Sequence, residues 1–228
     1  MMVSAKNNIS GRVKSFEDWI DYVFNHPVTE PAWYFKDIEK DNWVLSEDAV
    51  VEYMTRLFAN PAAFLEPFSN AQVNQGLQYL VSPSCSSQMF ALLNESVSWE
   101  KRKEALLAIY ALFERYFVKY CANVLARDEK RKPLNNVCFM WWDVFPWHGR
   151  PKEPKYAEID GLILSVMEKI LFISHTACQE SALHGLGHWQ ISYPERVKKI
   201  IDDFLARNPE MLPELREYAL RARTGRIQ

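Results

Sequence analysis

Helix punctuation recurs from one end of this chain to the other, and strand punctuation does not. Ser15, Ser46, Ser69 and Ser98 each precede an apolar series with helical spacing, and Asn60-Pro61 and Asn208-Pro209 interrupt such series. A hydroxyl at the N-cap accepts a hydrogen bond from a backbone N–H that the first helical turn leaves unpaired. Proline lacks that N–H and cannot continue a helix beyond its first turn. Period-2 alternation bounded by Asn-Gly or Asp-Gly turns is missing, and only seven glycines are present. The expected fold class is all-α.

The apolar spacing places the helices. Phe16, Trp19, Ile20, Val23 and Phe24 fall at i, i+3, i+4, i+7 and i+8 behind Ser15, and Pro27 ends the series. Residues 28–45 carry Trp33, Tyr34, Phe35 and Trp43 without a helical period, so they are assigned to a folded-back segment covering the core. Ser46 opens a helix facing Val50, Met54, Leu57 and Phe58. Ser69 with Gln72 forms a capping box ahead of Val73, Leu77 and Leu80. Gly76 lies inside that helix, where glycine costs about 1 kcal/mol relative to alanine, so a neighbouring helix is expected to approach closely there. Residues 86–94 suit one short helix, and the longest run extends from the Ser98 cap to Val124.

The charged stretch Arg127–Lys132 and Pro133 are expected to end that run and to open an irregular connection reaching Tyr156. Any subdivision of a single 1–228 domain falls there. Four more helices are expected near 157–173, 177–190, 194–207 and 210–223, with Thr176/Gln179 and Ser192/Glu195 as capping boxes. Short connections force consecutive helices to lie antiparallel, which suits pairs stacked as an irregular α-solenoid.

The segment Cys178-Gln-Glu-Ser-Ala-Leu-His-Gly-Leu-Gly-His188 resembles the second helix of HEAT-like repeats, where small residues and a Leu-Gly pair pack closely. The resemblance covers about one repeat, residues 157–207, and implies a HEAT/armadillo-like arrangement; the N-terminal half departs from the pattern. The same helix is similar to one found near the C-terminus of a bacterial family of helical proteins, uncharacterised as to chemistry.

Composition narrows the function classes. A formal charge of -2 and a pI near 6.2 supply no field that would gather polyanions, so no nucleic-acid partner is expected. The basic cluster Arg216, Arg221, Arg223 and Arg226 is read as complementing the last turn of a helix. Cys85, Cys121, Cys138 and Cys178 lack CxxC spacing, Met1–Gly11 lacks a leader-like apolar run, and no stretch is long enough to span a membrane. A cytoplasmic protein with reduced thiols is expected.

Two constellations could carry chemistry. Glu180, His184 and His188 stand at successive i+4 positions, on a helix stripe about 80° wide that faces away from Cys178, Ala182, Gly185 and Trp189. Two imidazoles one turn apart can share Zn²⁺, but Gly185 stands where a zincin carries its glutamate, which excludes a metalloprotease. Without a ligand, Glu180 would pair with His184 by an i,i+4 hydrogen bond. Spacing alone therefore assigns neither a metal nor a cofactor. The second constellation is the aromatic run 138–148, in which Trp141, Trp142 and Trp147 could flank a groove with Asp143 and His148 converging on a ligand. Cys178 near His175 could form a thiolate pair, although its small apolar stripe favours a buried structural thiol. The expected function is a helical interaction module binding a protein or peptide through His184, His188, Trp141 and Trp142. The competing expectation is a small-molecule or metal-dependent enzyme built on the Glu180/His184/His188 stripe.

Overall fold

The computed structural model describes residues 15–36 and 45–227; Trp43 and the Met1–Gly11 stretch lie outside them. Among the described residues there is no strand, and no helix is long and apolar enough to cross a membrane. The N-terminal half contains α1 (Phe16–Phe24), α2 (Glu47–Ala59), α3 (Pro61–Leu65) and α4 (Asn70–Val81), with 3-10 turns at Trp33–Phe35 and Gln88–Leu93. The central rod is α5 (Trp99–Leu112), continued through a π-turn at Phe113–Phe117 into α6 (Val118–Tyr120). Then come α7 (Pro133–Val144), α8 (Ala157–Leu171), α9 (Thr176–Trp189), α10 (Pro194–Arg207) and α11 (Pro213–Ala222).

The four serine caps hold as local chemistry dictates. Ser15 Oγ accepts from Asp18 N at 3.1 Å while the Asp18 carboxylate accepts from Ser15 N at 3.0 Å, and Ser69 and Gln72 reciprocate in the same way. Ser46 and Ser98 accept from Ala49 N and Lys101 N. Gly76 meets the expected close neighbour: a Cβ there would stand 2.3 Å from Phe24 Cδ1 of α1.

Two proposed boxes do not form. His175, not Thr176, occupies the N-cap of α9, and the Thr176 N–H donates instead to Asn123 Oδ1 at 2.6 Å, a partner 53 residues away. Ser192 spends its hydroxyl on the His148 carbonyl at 3.0 Å; Tyr193 caps α10, and Pro194 at the first helical position removes one donor that would need a partner.

The largest correction concerns 127–156. The long rod stops at Tyr120 rather than Val124, and Pro133 begins α7 where an irregular connection was expected. Proline's fixed φ suits a first helical turn. The Asn135 side chain locks this entry, accepting from Lys132 N at 3.0 Å and Ala122 N at 2.9 Å while donating to Ala122 O at 2.9 Å. Leu134, Val137, Cys138, Trp141 and Trp142 then enter the core, each at most 1% exposed.

Helix α9 lies in the middle of the C-terminal half, in contact with α7, α8, α10 and α11. Its glycines make this approach possible. A Cβ on Gly185 would come within 2.5 Å of Trp142 Cβ and 2.7 Å of Met167 Sδ, and one on Gly187 within 2.3 Å of Ile227 Cγ2. The Asp160-Gly161 dipeptide, a hairpin signal between strands, sits inside α8.

Candidate functional site

The i+4 stripe of α9 does not point to solvent. Glu180 and His184 are buried, at 5% and 7% exposure, because α7 and α11 close over that face and leave a cleft between the three helices. The cleft has a volume of about 1170 Å³. Asp143 of α7, Glu180, His184 and His188 of α9, and Tyr218 and Arg221 of α11 line it, joined by Arg127 and Arg131 from the segment before α7.

A continuous polar chain crosses the cleft floor. Tyr218 OH lies 2.5 Å from His184 Nδ1, His184 Nε2 lies 3.3 Å from His188 Nε2, and His188 Nε2 lies 2.7 Å from Asp143 Oδ1. The ring of Phe139 packs on His184 with centroids 4.5 Å apart, fixing that imidazole between an apolar face and the tyrosine. Glu180 stands apart from the chain. Its carboxylate accepts from Ala126 N at 2.6 Å, so the expected i,i+4 pair with His184 is replaced by a bond to the neighbouring segment.

Burial sets the charge states. It pushes the Glu180 carboxyl up to about 7, against the opposing pull of the Ala126 N–H and of Arg127. Burial, aided by His188 and opposed by Asp143, brings His184 down to about 4, so this imidazole is neutral at neutral pH. His188 is lowered as well, by burial, with Asp143 opposing and His148 reinforcing. Burial also raises Tyr218, and the Glu180 charge adds to the effect. The cleft thus pairs a carboxyl poised near neutrality with neutral imidazoles, a pattern found at functional sites.

The chain matches no family model, no curated protein and no solved structure. What the cleft does therefore rests on its own geometry.

The sequence-derived candidates divide cleanly. Asp143, Glu180, His184 and His188 share the cleft. His148 is exposed on the loop after α7, with its ring centroid 5.7 Å from that of His188, at the edge of the site. Trp141 and Trp142 do not flank a groove: they face the opposite side of α7, where Trp141 packs on Phe58, Phe113 and Phe117 and Trp142 on Phe113 and Phe145. Trp147 is also structural. Its Nε1 donates to Asp160 Oδ1 at 2.6 Å, and the other Asp160 oxygen accepts from Arg150 N at 2.7 Å and Tyr193 OH at 2.5 Å. Cys178 is fully buried outside the cleft beside Cys138, whose thiol burial pushes up.

Asp160 thereby ties the loop after α7 to α8 and to the start of α10. An Asp160→Asn variant keeps one acceptor but turns an amide N–H₂ toward donors, so it is expected to lose about 2 kcal/mol of stability. A urea titration checks this. An unchanged midpoint would mean that the three bonds do not hold the loop.

Tyr218, Arg221, Arg127 and Arg131 complete the site without having been singled out for it. Arg221 belongs to the C-terminal basic cluster and Arg127 and Arg131 to the charged run, but nothing local says that they meet. Elsewhere in the cluster, Arg223 pairs with Asp202 and Arg216 donates to the Asn208 and Pro209 carbonyls.

Proposed function

We propose that this protein is a helical scaffold that binds an acidic segment of a partner protein or peptide in the cleft between α7, α9 and α11. The supporting observation is a set of cations on the cleft wall. Arg127, Arg131, Lys132 and Arg221 all line it, and none makes an ion pair among the described residues. Guanidinium groups on the Arg127–Arg131 side of the wall are suited to bidentate capture of carboxylates; of the carboxylates that line the cleft, Asp143 is engaged by His188 and Glu180 by Ala126 N, and Glu214 and Glu217 lie on the α11 side. The cleft, at about 1170 Å³, is larger than the usual small-molecule pocket of about 300–1,000 Å³, which suits a peptide segment.

In this proposal α8 to α11 stack as antiparallel pairs in a HEAT-like, irregular α-solenoid, a class that uses extended concave surfaces to hold partners. Helices of 15, 14, 14 and 10 residues joined by short connections support the arrangement. Four unpaired thiols suit a cytoplasmic setting.

Affinity capture from the source cells with the intact chain tests the proposal, run beside the double variant Arg127→Glu/Arg131→Glu. Both arginines are exposed, so the variant is expected to fold. Loss of a captured partner in the variant is the expected result, and identical capture by both proteins would remove the cleft as the binding surface.

A second reading is favoured by one observation, the Glu180 carboxyl held near 7 in the same cleft as neutral His184. That pairing suits acid–base chemistry on a small molecule.

A further inference from the structure

The floor of the cleft has a hydrogen-bonding imbalance. Each neutral imidazole carries one N–H and one lone pair, and the Asp143 carboxylate, which can only accept, fixes which nitrogen carries which along the chain to Tyr218. With His184 Nδ1–H donating to the tyrosine oxygen, His184 Nε2 is left with a lone pair. His188 Nε2 must carry its hydrogen to meet the Asp143 carboxylate. One hydrogen is then shared between a carboxylate oxygen at 2.7 Å and an imidazole nitrogen at 3.3 Å.

The same atoms have the spacing of a ligand set. Two nitrogens bound to one tetrahedral ion at about 2.0–2.1 Å stand about 3.3 Å apart. His184 Nε2 and His188 Nε2 are separated by 3.3 Å, and these two atoms and an Asp143 carboxylate oxygen all lie within 4.8 Å of one another. Asp143 is partly exposed, so a small rotation of its carboxylate opens the 2.7 Å contact to ligand spacing. The Tyr218–His184 bond supplies the outer-shell partner that fixes a ligating imidazole in the correct tautomer and orientation.

We propose that Asp143, His184 and His188 bind one divalent first-row transition-metal ion, with Zn²⁺ as the reference ion. The ion replaces the shared hydrogen between the ligand atoms, at about 2.0–2.1 Å from the two nitrogens. That hydrogen moves from His188 Nε2 to Nδ1, so the imidazole stays neutral and no redox change is involved. The spacing of His184 and His188 provides only two donors; the third arrives because α7 packs across α9 and brings Asp143 over the pair. Three protein ligands leave at least one position open toward the cleft, where an exchangeable carboxylate, hydroxyl or water completes the shell. Glu180 is not a ligand in this arrangement, since its carboxylate is engaged by Ala126 N. The ion site stands on its own donors; only its use as an anchor for a carboxylate of the occupant rests on the cleft-binding reading.

The test uses the full chain stripped with a chelator, dialysed, and titrated with Co²⁺ alone while its visible d–d absorption is followed, then with Zn²⁺ by calorimetry. One ion per chain is expected. Because outer-shell changes alone cost about 10–100-fold in affinity, Asp143→Asn and His188→Ala are each expected to weaken binding at least about 100-fold, and Tyr218→Phe about 10-fold. Both ligand positions are partly exposed, so these variants are expected to keep the parent's helical circular dichroism. Glu168→Gln, on the α8 surface beside Arg196, serves as the unaffected control. Absence of Co²⁺ binding, or equal binding by the parent, Asp143→Asn and His188→Ala, would overturn the site. Partner capture without ion binding removes the ion site alone; ion binding without partner capture supports the site and counts against the acidic-segment reading.

Discussion

Trp142→Ala is expected to destabilise the fold by about 4 kcal/mol, the upper range for emptying a packed aromatic position. Trp142 is 1% exposed, with its indole against Phe113 and Phe145 and its Cβ against the bare backbone of Gly185. Truncation keeps the Cβ that meets Gly185 and empties the space between Phe113 and Phe145, which Gly185 has no side chain to help fill. Denaturant unfolding of the variant measures the loss. If Trp142 were a ligand-contacting residue, the variant would keep its midpoint and lose only binding, and that outcome would refute the core placement. The same contact explains why Gly185 tolerates no Cβ: overpacking costs about 1–3 kcal/mol, more than the helix-propensity gain of about 1 kcal/mol from alanine.

Glu180→Gln is expected to stabilise the protein in mild base and to do nothing in acid. The Glu180 carboxyl titrates at about 7 in the folded chain against an ordinary 4.5, because burial disfavours its charge. A carboxyl raised in this way takes up its proton more readily folded than unfolded. Its contribution is complete below about pH 4.5 and is lost as the pH rises through about 7. The displacement corresponds to about 3 kcal/mol, which glutamine avoids while its amide oxygen still accepts from Ala126 N. His184 acts in the opposite direction, its stabilisation being lost as the pH falls from 6.5 through about 4, but both proteins carry it and it cancels in the difference. Thermal or urea unfolding at about pH 4 and about pH 8.5 gives the answer. A stability difference that does not change between the two would show that Glu180 is not held in a desolvated site.

How far the fold could be read from the residues depends on the range of the interaction that decides each element. The caps at Ser15, Ser46, Ser69 and Ser98 involve atoms three residues apart, and the structure places them as the spacing requires. The Thr176/Gln179 pair has equally good local credentials, but Asn123 from across the fold reaches the N–H first. Helix α7 is legible in its apolar spacing. Leu134, Val137, Cys138, Trp141 and Trp142 fall at i, i+3, i+4, i+7 and i+8, and treating Pro133 as a terminator rather than a first-turn residue concealed the helix.

The site shows the same division. The i+4 spacing of Glu180, His184 and His188 puts them on one face whatever the tertiary structure. Whether that face meets solvent, apolar side chains or a polar cleft depends on α7 and α11, which contribute Asp143, Tyr218 and Arg221 from 37–45 residues before and 30–41 residues after the stripe. No periodicity within α9 carries that information. The aromatic run 138–148 joins both outcomes, because a helix turns about 100° per residue: Trp141 and Trp142 face the core, and Asp143, the next residue, faces the cleft.

The glycines of α9 limit where the molecule can change its preferences. With Trp142, Met167 and Ile227 pressed against its backbone, α9 can neither slide nor rotate without collision, so the two imidazoles keep a fixed address. Under the proposed binding role, diversification would come from the outer wall, through Arg127, Arg131 and the exposed face of α11 carrying Glu214 and Glu217, where substitution leaves the interior undisturbed.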